Sequence, residues 1–177
     1  MDESYYPKIA ADLPNFPEEL IQDWIMRHGP NEWPPTFDKW EEPQGEWRRV
    51  LVYGPLDWWR QVQWVREAIP LDSKRPEGWL NVSEADALRY AYEKRMDHPD
   101  GFPEGESERV KYHVGFILEH GRMNGAPILF RARGRLEPLD GLHRLAALFH
   151  LQATGAIKAD AAHDVWITDR PPKPDDW

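Results

Sequence analysis

Apolar residues recur three and four positions apart over much of the chain, and that spacing predicts helices. In "SERVKYHVGFILEHG" Val110, Val114, Ile117 and Leu118 form one stripe, Ser107 stands where a cap belongs, and Gly121 ends the run. "SEADALRYAYEKRM" opens with Ser83 as a cap and Asp86 three residues on, a variant of the capping box. "PEELIQDWIMRH" predicts a helix from Pro17 to His28, stopped by Gly29-Pro30. "PLDWWRQVQWVREAI" predicts another, because Trp58, Val62 and Val65 keep helical spacing, as do Trp64 and Ala68. "EPLDGLHRLAALFHL" starts like the end of a strand and continues as a helix from about Gly141 to Gln152. Leu142, Leu145, Ala146 and Phe149 are its expected core face.

Strands are expected at "WRRVLVYG" (47–54), "APILFRARG" and "AHDVWITD" (162–169). "RLEPL" returns through Gly134 as a hairpin partner, and Pro138, which has no N–H, confines it to a sheet edge or strand end. "DHPDGFPEGE" (97–106) is a loop by its Pro and Gly content. These elements predict an α+β fold: a small mixed sheet flanked by helices at 101–177, with a helical, Trp-rich extension at 1–100 packed on it.

Composition narrows the chemistry. The chain has 177 residues and no Cys, so a disulfide, a thiolate metal site and a cysteine nucleophile are excluded. A net charge of −9 repels nucleic acid as a whole, so DNA binding would need a locally basic face. No apolar run is long enough to span a bilayer, and "MDESYYPKIAADL" lacks the apolar stretch of a leader, so a cytoplasmic protein with no membrane partner is expected. Ten Trp residues are expected chiefly to pack the interior.

One short stretch carries candidate chemistry. At the join of strand and helix stand Asp140, Gly141, Leu142, His143 and Arg144. A helix start leaves its first N–H groups unpartnered and adds a partial positive charge, which together attract an anion. Asp140 is the expected cap, Gly141 lets a phosphate approach the backbone, Arg144 offers a planar fork, and His143 donates a hydrogen bond or shuttles a proton. The alternative is that Asp140 only caps, Gly141 only turns, and His143 and Arg144 are solvated. From Gly121 to Arg135 there are four arginines (Arg122, Arg131, Arg133, Arg135) and no acid. On one strand Arg131, Arg133 and Arg135 would alternate to one face. His113 and His120, like His143 and His150, lie two helical turns apart, too far to share one metal ion, so no metal ligands are assigned. There is no Walker loop, no G-x-G-x-x-G and no G-x-S-x-G.

"GAPILFRARGRLEPLDGLHRLAALFHLQATG" followed by "DVWITD" resembles the ParB/sulfiredoxin superfamily over about residues 107–168. The resemblance implies that Asp140, Gly141, Leu142, His143 and Arg144 bind nucleotide phosphates, with Arg131 and Arg133 leading to them. Sulfiredoxins use a cysteine near this turn, and the chain has none. Partition proteins carry an arginine-rich G-E-R-R box and a helix-turn-helix, which are also absent. The turn is most similar to that of the free serine kinases. The resemblance therefore implies a nucleotide-dependent phosphotransferase that uses ATP or another nucleotide with Mg²⁺ on a hydroxyl of a small molecule or modified nucleoside. Candidate acids are Glu106, Glu108, Glu119 and Asp140. Glu108 is the expected partner of Asp140 and His143, since it begins the helix that would face the turn. A nucleic-acid-binding protein or nuclease using the strip from Arg122 to Arg135 is the alternative, and a non-catalytic interaction module is a third.

Overall fold

The computed structural model describes residues 1–37, 44–51, 55–72, 83–94, 105–132 and 135–168. One compact unit is Arg66–Ile167, while Met1–Val65 and Thr168 belong to another. The fold is α+β, as the pattern predicts.

In the first unit α1 (Tyr6–Asp12) precedes α2 (Glu18–Leu20), which continues as a π-helical stretch, Ile21–Met26. The expected stop at Gly29 has a packing cause: a Cβ there would fall 2.6 Å from the Trp47 ring. Trp24, Trp47 and Trp59 are buried, and Trp24 meets Trp59 edge to face at 5.5 Å, so these tryptophans do pack an interior. Two expectations fail in this segment. Residues Gly45–Arg49 form a 3₁₀ turn in place of the start of a strand at 47–54, of which 52–54 lie outside the described residues. The long helix expected from Pro55 stops after one turn as α3 (Leu56–Trp59), and β1 (Val65–Pro70) follows. The Asn15 side-chain amide donates to the carbonyls of Trp59 (3.0 Å) and Val62, which a continuing helix would have used itself. Short apolar runs fit both the helical and the strand period, and here a side chain from elsewhere decides.

In the second unit a four-stranded sheet runs β1-β4-β2-β3, with β2 (Ile128–Ala132), β3 (Arg135–Asp140) and β4 (Ala162–Thr168). β2 and β3 form the expected antiparallel hairpin, and β3 lies at the sheet edge, where Pro138 is tolerated. Their register slips once. Leu129 faces Pro138, but Ile128 faces Asp140, so Leu139 is an extra, bulged residue. A bulge of this kind re-aims the residue that follows it.

Three helices complete the unit: α4 (Ser83–Glu93), α5 (Glu106–His120) and α6 (Leu142–Ala153). α4 lies within the stretch 1–100 that the pattern assigns to the extension, and it packs with α5 and α6. α5 ends at Gly121 as expected, but its cap position is Gly105 and Ser107 lies inside the helix. Val110, Val114 and Ile117 are buried, whereas Leu118 is exposed. Leu118 sits about 80° from Val110 around the axis, at the margin of the stripe.

α6 is less amphipathic than its expected face implies. Ala147 and Leu148 are buried along with Leu145, Ala146 and Phe149, and Leu142 is half-buried against the same core. A helix apolar nearly all round is an interior helix, and α6 is packed by both α4 and α5. No helix among the described residues is long and apolar enough to cross a membrane. Leu148→Ala is expected to lower stability by about 2–5 kcal/mol, as for any buried leucine. Leu118→Ala is expected to change it by less than about 0.5 kcal/mol. Urea unfolding of the two variants checks this, and equal effects would contradict the assigned burial.

Candidate functional site

The turn between β3 and α6 is built around Arg144. Arg144 is buried (8% exposed), lies one helical turn beyond Asp140, and forms an ion pair with that carboxylate. Its Nη1 donates to the backbone carbonyl of Asn124 at 3.2 Å. Gly125 follows at φ +83°, where a Cβ would lie 2.8 Å from the same Nη1. Gly141 is the cap residue of α6 at φ +97°, and a Cβ there would lie 3.0 Å from Arg144 Nε and 3.1 Å from Pro127. Both glycines are thus required by the seat of the guanidinium as well as by their positive φ.

This geometry revises three expectations about the turn. Asp140 does not cap α6, which has no side-chain cap, because the bulge and Arg144 claim its carboxylate. The missing Cβ of Gly141 makes room for Pro127 and Arg144 instead of an incoming ligand. The Arg144 fork is occupied by Asp140 and Asn124, so the residue supports the turn from beneath.

Above this support His143 meets Glu106. The His143 Nε2 and a Glu106 carboxylate oxygen form a hydrogen bond, with side chains 16% and 8% exposed. Arg109 Nη1 donates to the other Glu106 oxygen at 3.0 Å. Burial, helped by the charge of Arg109, pushes the His143 imidazole below its ordinary value of 6.5, against the pull of Glu106. Burial raises Glu106, but the bonds from His143 and Arg109 outweigh it and hold the carboxyl below its ordinary 4.5. The pair is therefore a neutral imidazole and a carboxylate. An ionised carboxylate only accepts, so Nε2 carries the proton and Nδ1 presents a lone pair. Glu106 opens α5, whose positive end favours that negative charge. Two helices, of 15 and 12 residues, thus begin at one polar cluster, each without a side-chain cap.

The other expected site residues are placed as follows. Glu108 is exposed and pairs with Lys111 at 3.1 Å. It is two residues from Glu106, on the opposite side of the helix, so the acid at the turn is Glu106. Glu119 is also exposed, beside His120. Arg131 is exposed near the far end of β2, and Arg133 lies outside the described residues. Because Ala132 pairs with Arg135, the chain reverses between them, and Arg131 and Arg135 point to opposite faces of the hairpin. Arg135 also pairs with Glu137, an acid just past the arginine strip. Arg131 and Arg135 therefore do not form one basic face. Asn124 and Arg109 were not anticipated, although the i, i+4 spacing of Asp140 and Arg144 signals their pairing.

No group of three His, Asp or Glu side chains suited to a metal ion occurs among the described residues. Mg²⁺ in nucleotide sites needs only one or two carboxylates beside the phosphates. Glu106 and Asp140, however, both already face cationic or hydrogen-bonding partners, an arrangement that fits a metal ligand poorly. Comparison with protein-family models, curated proteins and solved structures gives no match.

Two outcomes test this geometry. Gly125→Ala is expected to destabilise the protein by about 1–3 kcal/mol through strain and collision with Arg144. Part of that loss should vanish in an Arg144→Ala background, measured as a double-mutant cycle. The second outcome concerns pH. Folding favours the neutral His143, so its contribution is complete above the ordinary 6.5 and declines as pH falls through and below it. The Glu106 contribution is present above 4.5 and is lost at still lower pH. The urea midpoint should therefore drop between about pH 7 and 5, and His143→Asn should flatten that part of the profile. An unchanged slope would assign the effect elsewhere, for example to His163, which burial also pushes down.

Proposed function

We propose that the chain is a nucleotide-dependent phosphotransferase acting on a hydroxyl. The observation that carries this reading is the pair of buried Glu106 and half-buried His143 set at the uncapped start of α6. Uncapped N–H groups at the head of a 12-residue helix suit phosphate oxygens. An imidazole oriented by a carboxylate through one nitrogen is suited to accept a proton at the other. The resemblance of the turn to those of free serine kinases points the same way.

In this reading the first amides of α6 hold the phosphates and offset charge on the transferred phosphoryl group. The acceptor hydroxyl gives its proton to His143 Nδ1 as its oxygen bonds to phosphorus, and the nucleoside diphosphate leaves. Glu106 holds the ring and steadies the imidazolium. Asp140 and Arg144 fix the turn and do not touch the reacting atoms. If Mg²⁺ accompanies the nucleotide, it neutralises phosphate charge, and no step assigned to these side chains depends on it.

Isothermal titration with ATP, ADP and CTP in the presence of Mg²⁺ is expected to give binding by at least one. Absence of binding by all three would overturn the reading. With an acceptor in hand, His143→Ala should slow transfer by about 10²–10⁴-fold, the usual contribution of general acid–base catalysis. Glu108→Gln should leave the rate unchanged.

A further inference from the structure

Tyr112 and Phe116 stand one turn apart on α5, the helix that supplies Glu106. Tyr112 is 57% exposed, but it is not loose. Its hydroxyl accepts a hydrogen bond from the Asn124 side-chain amide at 3.1 Å, and His113 meets the ring edge to face at 5.1 Å. The same Asn124 gives its backbone carbonyl to Arg144. Two consecutive hydrogen bonds thus tie an exposed aromatic face to the residue that supports the turn. Phe116 continues the surface, with the Arg122 guanidinium 5.8 Å from its ring centre.

We propose that the Tyr112–Phe116 face of α5 is a stacking surface for the base of a nucleotide whose phosphates lie at the start of α6. The proposal rests on the phosphate reading of the turn and adds the part of the ligand that reading leaves unplaced. Tyr112 is six residues beyond Glu106, about 9 Å along α5 and about 120° around its axis, and Asn124 joins it to the turn through Arg144. A ring already held at its hydroxyl and against His113 has little freedom left to lose when a base covers it. An adjacent guanidinium adds attraction for a π-system. Aromatic stacking tolerates any base, so this surface separates nucleotides from bare phosphates and does not select one base. A polynucleotide is a poorer occupant, because Arg131 and Arg135 on opposite faces provide no continuous basic track.

The test uses the full chain with Mg²⁺, titrated with ADP and separately with inorganic pyrophosphate. Wild type is expected to bind ADP more tightly than pyrophosphate. Tyr112→Ala should weaken ADP about tenfold or more and leave pyrophosphate unchanged, as for loss of one base–aromatic stack. Tyr112→Phe, which keeps the ring and loses the Asn124 bond, should stay near wild type. If Tyr112→Ala binds ADP normally, or weakens both ligands equally, the stacking surface is overturned while the phosphate site stands. Tyr112→Phe weakening ADP as much as Tyr112→Ala would also overturn it. Wild type binding neither ligand would overturn the phosphate reading and this proposal together.

Discussion

The Arg144 guanidinium is the point on which the second unit's polar architecture depends. A buried charge is costly unless it is paired and hydrogen-bonded, and removing one partner of such a pair is strongly destabilising. Asp140 supplies the countercharge from the end of β3, and Asn124 supplies a carbonyl from the connection between α5 and β2. The end of β3 and the connection at Asn124 are thereby fixed to one side chain of α6. Gly125 and Gly141 follow from the same requirement, since any larger residue would displace the group that holds the segments together.

That support explains why two helix starts meet here yet are treated differently. The start of α5 carries its own anion, the Glu106 carboxylate, locked by His143 and Arg109. The start of α6 has no counterpart: its nearest acid, Asp140, is turned to Arg144. One dipole is thus matched by a carboxylate of its own first turn, and the other has no side-chain cap. The neutral imidazole between them can take up a proton at Nδ1 while Nε2 stays bonded to Glu106, which then stabilises the imidazolium.

Much of the fold was legible because it rests on local periodicity. α4, α5, α6, the hairpin and β4 follow from spacing, and the edge position of β3 follows from Pro138 lacking a donor. Failures occurred where a distant side chain intervened. Asn15 ends α3 from forty-four residues away, and nothing within "PLDWWRQVQW" signals it. The turn at 140–144 was recognisable as a site, but the task of each residue was not, because Arg144 looks the same in sequence whether it faces solvent or is buried. Glu106 and Glu108 were likewise indistinguishable until the helix phase was fixed. The supposed alternation of Arg131 and Arg135 failed because it was counted through a chain reversal.

The extra residue at Leu139 has a consequence for how such a chain tolerates change in length. A strand's faces alternate, so adding or removing two residues in the hairpin preserves which side each later residue takes, whereas a single residue inverts it. The bulge is one such addition, held in place just before Asp140. The bulge absorbs Leu139, so Asp140 still faces Ile128; one further residue between Pro138 and Asp140, with no second bulge, would turn Asp140 to the other face and leave Arg144 without its countercharge. The interval from Pro138 to Asp140 should therefore resist the gain of one residue more than the loss of one, since removing Leu139 leaves Asp140 opposite Ile128 in a regular ladder.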